Sequence, residues 1–309
     1  MKKIEINVTR ITDKKELHSV LKDRLGFPEY YGNNLDALHD CLTDICEDTC
    51  IFITGFEELK GELGGYADTF LWVIDDSSRE NPHLSYIVKK DAEPIKRYNA
   101  VFLDLDGTLT DPAEGITNSV MYALSKWNIK VEDRKELFKF IGPPLKESFM
   151  KYYGFTEEEA AEAVIYYREY YMDKGIRENI VYEETERFLA YLKDRGYIIV
   201  LATSKPTLFA EDILRHFELD WYFDHIIGAT IDESRTHKGE VISYALDFGE
   251  IDDKTRTVIV GDREDDILGA RDNGIDSIAV RYGFGTLREI CEAGPDFIAG
   301  TMQDLREIL

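Results

Sequence analysis

Val101-Phe102-Leu103-Asp104-Leu105-Asp106-Gly107-Thr108-Leu109-Thr110 joins a short apolar run to two aspartates, spaced by one residue, on a Gly-Thr turn. Residues 100–103 are apolar throughout, the pattern of a strand buried on both faces. Such strands belong to parallel α/β sheets, whose ligands bind in the crevice beyond the carboxyl ends of the strands. Asp104 and Asp106 fall at that end and are therefore candidates for chemistry. For the pentapeptide alone, a polar turn after a strand remains the alternative.

Downstream, a mainly helical stretch runs from about Ala113 to Asn179, and strands then alternate with helices to the last residue. Strands are predicted at 198–202, 225–228, 257–260, 277–280 and 297–298, with helices beginning near Glu183, Pro206, Lys238, Glu264, Leu287 and Met302. The expectation is a doubly wound α/β core carrying a helical insert, about 112–181, that covers the site. Three further stretches fall at strand ends. Val200 to Pro206 finishes a strand with Thr203 and Ser204 and opens a helix, where free N–H groups favour an anion, although an ordinary N-cap reads the same way. Lys238 starts another helix. Asp262 and Asp266 follow the apolar run Val258-Ile259-Val260, where an acidic first helical turn is also common.

Upstream, Ile4, Ile6 and Val8 alternate as a strand, and Asp13 is placed to cap a helix carrying Leu17, Val20, Leu21 and Leu25. Asn34 opens a second helix. A strand over 50–54, helices over 56–63 and 67–77, and a strand over 84–88 complete a small three-stranded parallel unit. Asp91-Ala92-Glu93-Pro94 is a short polar linker, which predicts two domains, 1–93 and 94–309.

The 309 residues carry 37 basic and 61 acidic side chains, a net charge of -24. Acidic residues outnumber basic ones on both sides of the linker. That balance argues against nucleic acid as a partner and suits a basic protein better. A phosphorylated substrate would need local cations, a metal or N–H groups to overcome the repulsion. No apolar run approaches the length of a bilayer span, the amino-terminal residues alternate instead of forming a leader, and the four cysteines lack CxxC spacing. Together these give the expectation of a cytoplasmic protein with reduced thiols and no membrane contact.

Taken in order, Asp104 with Asp106, Thr203 with Ser204, Lys238, and Asp262 with Asp266 resemble the four motifs of the haloacid dehalogenase-like phosphohydrolases, over nearly all of residues 98–309. The second aspartate, absent from the dehalogenase branch, implies phosphoryl transfer. The resemblance implies a Mg²⁺-dependent phosphatase in which Asp104 is the nucleophile and Asp106 the acid and base. It further implies a metal held by Asp104, the Asp106 carbonyl and Asp262, organised by Asp266, and a phosphoryl group held by Lys238, Thr203 and the turn at Ser204. Each role suits its chemistry: a carboxylate attacks phosphorus, its neighbour moves protons, and cations hold the spreading charge.

The stretches Phe140 to Phe149, Tyr167 to Tyr171 and Leu201 to Pro206 look like the phosphoglycolate phosphatase group, and closer to its bacterial 5'-nucleotidase-like members. A nucleoside 5'-monophosphate is the expected small phosphorylated substrate, with phosphoglycolate phosphatase or phosphomutase activity as alternatives. The tyrosines read as packing between insert and core more than as a base-stacking platform. Val181-Tyr182-Glu183-Glu184-Thr185 departs from the Tyr-Pro-Gly that the group carries where the insert rejoins the core.

Pro28-Glu29-Tyr30-Tyr31-Gly32-Asn33-Asn34-Leu35-Asp36-Ala37-Leu38-His39-Asp40-Cys41-Leu42 resembles barstar, a ribonuclease inhibitor, and the order of elements over residues 1 to about 90 fits that family. The resemblance implies that Tyr30, Asn34, Asp36, His39 and Asp40, with Asp76, bind a ribonuclease or other basic protein. His39 stands where the family usually has tryptophan. A solvated acidic face on a domain kept for folding or oligomerisation is the alternative, as is an inhibitor or immunity protein whose phosphatase part is secondary.

Overall fold

The computed structural model describes residues 1–231 and 234–309. The chain divides into two compact units: Met1–Arg97 with Ile278–Arg281 and Leu287–Leu309, and Tyr98–Ser277 with Tyr282–Thr286.

The first unit opens with β1 (Lys2–Asn7), α1 (Lys14–Leu25), α2 (Leu35–Thr43), β2 (Thr49–Thr54), α3 (Phe56–Leu63), α4 (Gly65–Glu80) and β3 (Leu84–Lys89). The two expected caps form. Asp13 accepts from the Glu16 N–H at 2.8 Å and Asn34 from the Ala37 N–H at 2.8 Å, so both side chains satisfy free donors of a first turn. β1, β2 and β3 run parallel, in that order.

In the second unit, β4 (Ala100–Leu103) and β5 (Thr110–Asp111) precede the helical insert of α5 (Ala113–Ser125), α6 (Leu145–Tyr153) and α7 (Glu157–Asp173). β6 (Ile180–Val181) returns the chain to the core. There follow α8 (Thr185–Asp194), β7 (Ile198–Pro206), α9 (Thr207–His216), β8 (His225–Ala229), α10 (Lys238–Phe248), β9 (Thr257–Gly261), α11 (Glu264–Asn273) and the start of β10 (Asp276–Val280). β4 lies between β9 and β7, parallel to both, and β8 extends the sheet beyond β7. All four β4 residues are buried, as a central strand requires. β5 pairs antiparallel with β6, and the Tyr182 N–H and Thr185 hydroxyl both donate to the Leu109 carbonyl, at 3.2 and 2.8 Å. These bonds tie down the return of the insert in place of the Pro-Gly turn.

The carboxyl-terminal elements α12 (Leu287–Ala293), β11 (Phe297–Ala299) and α13 (Met302–Ile308) belong to the first unit, although the linker separates them from it in sequence. β11 pairs antiparallel with β3 and parallel with residues 278–280 of β10. Every residue of β3 is buried, so this strand needs a neighbour on the edge away from β2. Asp304 on α13 accepts from Ser85 at 2.8 Å, fastening the tail to the same strand. The three parallel strands expected for this unit are present, and two more join them from the far end of the chain. Among the described residues no helix is long and apolar enough to cross a membrane.

Candidate active site

β4 ends at Leu103, and the next residue, Asp104, is held in strand register by its N–H bond to Val260 at 3.0 Å. The chain then turns through Gly107, at φ +84°. A Cβ there would lie 2.3 Å from Asp262 Oδ2, so only glycine combines this conformation with this approach. Asp104 and Asp106 are thus delivered to the carboxyl end of the sheet. The ends of β7, β9 and the start of α10 bring Thr203, Asp262 and Lys238 to the same place.

Asp104, Asp106, Asp262 and Asp266 are all buried. Lys238 Nζ lies 2.7 Å from Asp104 Oδ1 and 2.7 Å from Asp266 Oδ1, and donates to the Ala202 carbonyl at 3.1 Å. Burial disfavours its charge, but the two carboxylates outweigh that and hold it protonated. Asp266 accepts from the Arg263 N–H with its second oxygen at 3.1 Å, which fixes it at the start of α11. Burial, with Asp104 beside it and Lys238 opposing, pushes Asp266 up to about 6. Asp262 is pushed up to about 8 by burial, then by Asp266 and Asp104. Its Oδ2 accepts from the Phe284 N–H at 2.6 Å, while its Oδ1 is buried with no hydrogen-bond partner.

One lysine therefore faces three carboxylates whose ligand oxygens all lie within 4.8 Å of one another. A hard divalent cation, which takes oxygen ligands, suits both that excess of charge and the orphaned Asp262 oxygen.

Asp106 Oδ2 pairs with Lys205 Nζ at 2.9 Å, and the same ammonium donates to the Tyr171 hydroxyl of α7 at 2.7 Å. Burial raises the Asp106 pKa, with Lys205 opposing. Asp106 Oδ1 is buried and unpartnered. Above it opens a cavity of about 480 Å³ with Asp106, Ser204 and Lys205 at one end and Phe140, Tyr167 and Phe209 among its apolar walls. Arg168 also lines it. Lys146, at its edge, pairs with Glu157 at 2.8 Å. Tyr167 and Tyr171 are buried and stacked, their centroids 5.4 Å apart, which fits the packing role expected for this cluster.

The residues singled out in the first unit form a different kind of surface. Tyr30 is 86% exposed, Asp36 and Asp40 project one turn apart from α2, and neither aspartate has an ion-pair partner among the described residues. His39 Nε2 lies 3.6 Å from Asp76 and 3.7 Å from Glu80, both on α4. Asn34 spends its side chain on the helix cap.

Residues 101–280 match the haloacid dehalogenase-like hydrolase family, and residues 1–96 match barstar (barnase inhibitor). A 5'-nucleotidase of Pseudomonas aeruginosa is 44% identical over 213 residues, 69% of this chain and 96% of the relative. The chain belongs to the haloacid dehalogenase-like hydrolases. Its solved relatives in that family include a predicted phosphatase from Clostridium acetobutylicum, 49% identical with a TM-score of 0.67, covering 69% of this chain and 98% of the other. The tyrosine-protein kinase PtkA of Mycobacterium tuberculosis is 35% identical over 224 residues, 72% of this chain and 76% of that one. This haloacid dehalogenase-like hydrolase is a phosphoric monoester hydrolase fused to a barstar domain.

In this hydrolase the structure gathers Asp104, Asp106, Thr203, Lys238, Asp262 and Asp266 at one end of the sheet, with Ser204 facing the cavity. It adds Lys205, Tyr171 and the Phe284 N–H, and on the barstar domain Glu80. Glu80 had a sequence signal, four residues after Asp76 on one helix. Lys205 had only its place after Thr203-Ser204.

Proposed function

We propose that the protein hydrolyses nucleoside 5'-monophosphates through an aspartyl-phosphate on Asp104. One observation carries this reading: Asp106 lines a cavity of about 480 Å³ that also has Phe140, Tyr167 and Phe209 in its walls, room and chemistry for a nucleoside behind its phosphate. The identity to a 5'-nucleotidase over the same residues supports the substrate class.

Asp104, 2.7 Å from Lys238, attacks phosphorus as the bond to the 5'-oxygen breaks. Asp106, whose proton burial favours, gives that proton to the departing 5'-oxygen. As a carboxylate it is then stabilised by Lys205 and takes a proton from the water that cleaves the aspartyl-phosphate. Lys238 and the Thr203 hydroxyl hold the phosphoryl oxygens as charge spreads over them. Mg²⁺, held by Asp104, the Asp106 carbonyl and Asp262 and organised by Asp266, supplies charge neutralisation when bound.

A panel of nucleoside monophosphates, phosphoglycolate and other phosphate esters, assayed with and without Mg²⁺, tests the proposal. Preference for nucleotides lost in Asp104→Asn is expected. Preference for phosphoglycolate, or turnover that persists in Asp104→Asn, would overturn it.

A second reading rests on the first unit. Tyr30, Asp36, Asp40, Asp76 and Glu80 offer an exposed aromatic and four carboxylates, a surface suited to a basic protein such as a ribonuclease. A pull-down with a basic ribonuclease in which Asp36→Ala with Asp40→Ala retained the partner would count against it.

A further inference from the structure

In the first unit, α2 and α4 pack against each other, and what fixes them together also places three donor groups. Leu38 and Leu42 are the buried residues of α2, and Val73, Ile74 and Ser77 are among those of α4. At the end of α4, Asn81 is 4% exposed and donates to the Leu42 and Ile45 carbonyls, both at 2.9 Å. The last turn of α4 is thereby pinned beside the last turn of α2. His39, next to Leu38, is half-buried and faces Asp76 and Glu80, which project one turn apart from α4.

The three side chains meet without satisfying one another. His39 Nε2 stands 3.6 Å from Asp76 Oδ2 and 3.7 Å from Glu80 Oε2, beyond hydrogen-bond reach. Neither carboxylate has a lysine or arginine partner among the described residues; Arg79, lying between them in sequence, is spent on Asp75 at 3.1 Å. His83 shows the ordinary alternative, its Nδ1 closed onto Asp48 Oδ1 at 2.8 Å. The donor atoms of His39, Asp76 and Glu80 all lie within 4.8 Å of one another. Ligands bound to one tetrahedral Zn²⁺ lie about 3.4 Å apart, so the spacing around His39 is that of donors to a shared cation with a few tenths of an ångström left to close.

We propose that His39, Asp76 and Glu80 form a metal site on the barstar domain that takes a transition cation of the Zn²⁺ class. An imidazole nitrogen beside two carboxylate oxygens suits Zn²⁺, whereas Mg²⁺ selects oxygen alone. Three protein ligands leave a fourth position to water. The bound cation cross-links α2 to α4 and offsets two of the four negative charges of the acidic face, whatever the hydrolase unit acts on.

The full chain, freed of metal with a chelator and returned to excess Mg²⁺, is titrated with Zn²⁺ by calorimetry and by the imidazole nitrogen resonances. The His39 signals are those missing from His39→Asn. They are expected to shift on Zn²⁺ binding while those of His83 stay in place. His39→Asn and Glu80→Gln are each expected to weaken that binding event at least about tenfold, the lower end of what removing even a ligand's support costs, and His83→Asn to leave it unchanged. Zn²⁺ should also raise the unfolding temperature of the parent more than that of His39→Asn.

His39 signals unmoved by saturating Zn²⁺ would overturn the proposal, as would an isotherm unchanged in a His39→Asn variant whose circular dichroism is that of the parent. Equal weakening in His83→Asn would do the same, since scattered surface histidines would then be the binders. A Zn²⁺ event abolished by Asp104→Asn and untouched by His39→Asn would belong to the hydrolase carboxylates and would equally sink the site.

Discussion

The aspartates around Lys238 and the acidic face of α2 and α4 use the same side chain in opposite surroundings. In the hydrolase unit four aspartates are buried, raised in pKa by lost solvation or tied to lysines, and two of them, Asp106 and Asp262, keep an oxygen with no partner among the described residues. Such a cluster costs stability, and chemistry on an anionic substrate explains its retention. Asp36, Asp40 and Glu80 are exposed and Asp76 is half-exposed, in surroundings where an ion pair contributes little and a charge costs little. These are suited to steering a partner. Burial, then, separates the carboxylates proposed to react from those proposed to recognise a partner.

The contrast can be broken at several points. Asp104→Asn should lower hydrolysis by at least about three orders of magnitude, as loss of a nucleophile does, with the fold intact by circular dichroism. Lys238→Met leaves two buried carboxylates without their shared cation and should cost about 3 kcal/mol in urea unfolding, whereas loss of an exposed lysine would cost far less. Mg²⁺ at a hundredfold excess over its Kd should stabilise the protein by about 2.7 kcal/mol, reversed by a chelator; a thermal shift that ignored the metal would remove the explanation for the orphaned Asp262 oxygen. At the exposed face the effects shrink. Asp36→Ala with Asp40→Ala should change stability by about 1 kcal/mol or less and leave hydrolysis untouched, while slowing association with a basic ribonuclease at low salt.

The hydrolase site was legible where strand-end placement carried it. An apolar run followed by aspartates puts carboxylates at the sheet's carboxyl end whatever the loops do, and Asp104 and Asp262 follow that rule. Lys205 escaped because its burial depends on Tyr171, which arrives from α7 far away in sequence and accepts a hydrogen bond from it. Phe284 escaped for another reason. Its contribution is a backbone N–H, which every residue but proline possesses, so no residue type announces it.

The amino-acid sequence by itself determined the two families, the order of elements, the caps at Asp13 and Asn34, and the acids and lysine that meet at β4. Periodicity, capping chemistry and motif spacing are local, and they survive without coordinates. Only the tertiary structure decided that the carboxyl-terminal residues 287–309 pack with the barstar domain, that Asp106 is paired with Lys205, and that the Phe284 N–H holds Asp262. Edge pairing of β3 and burial of charge depend on residues distant in sequence, and no local pattern specifies which of them will meet.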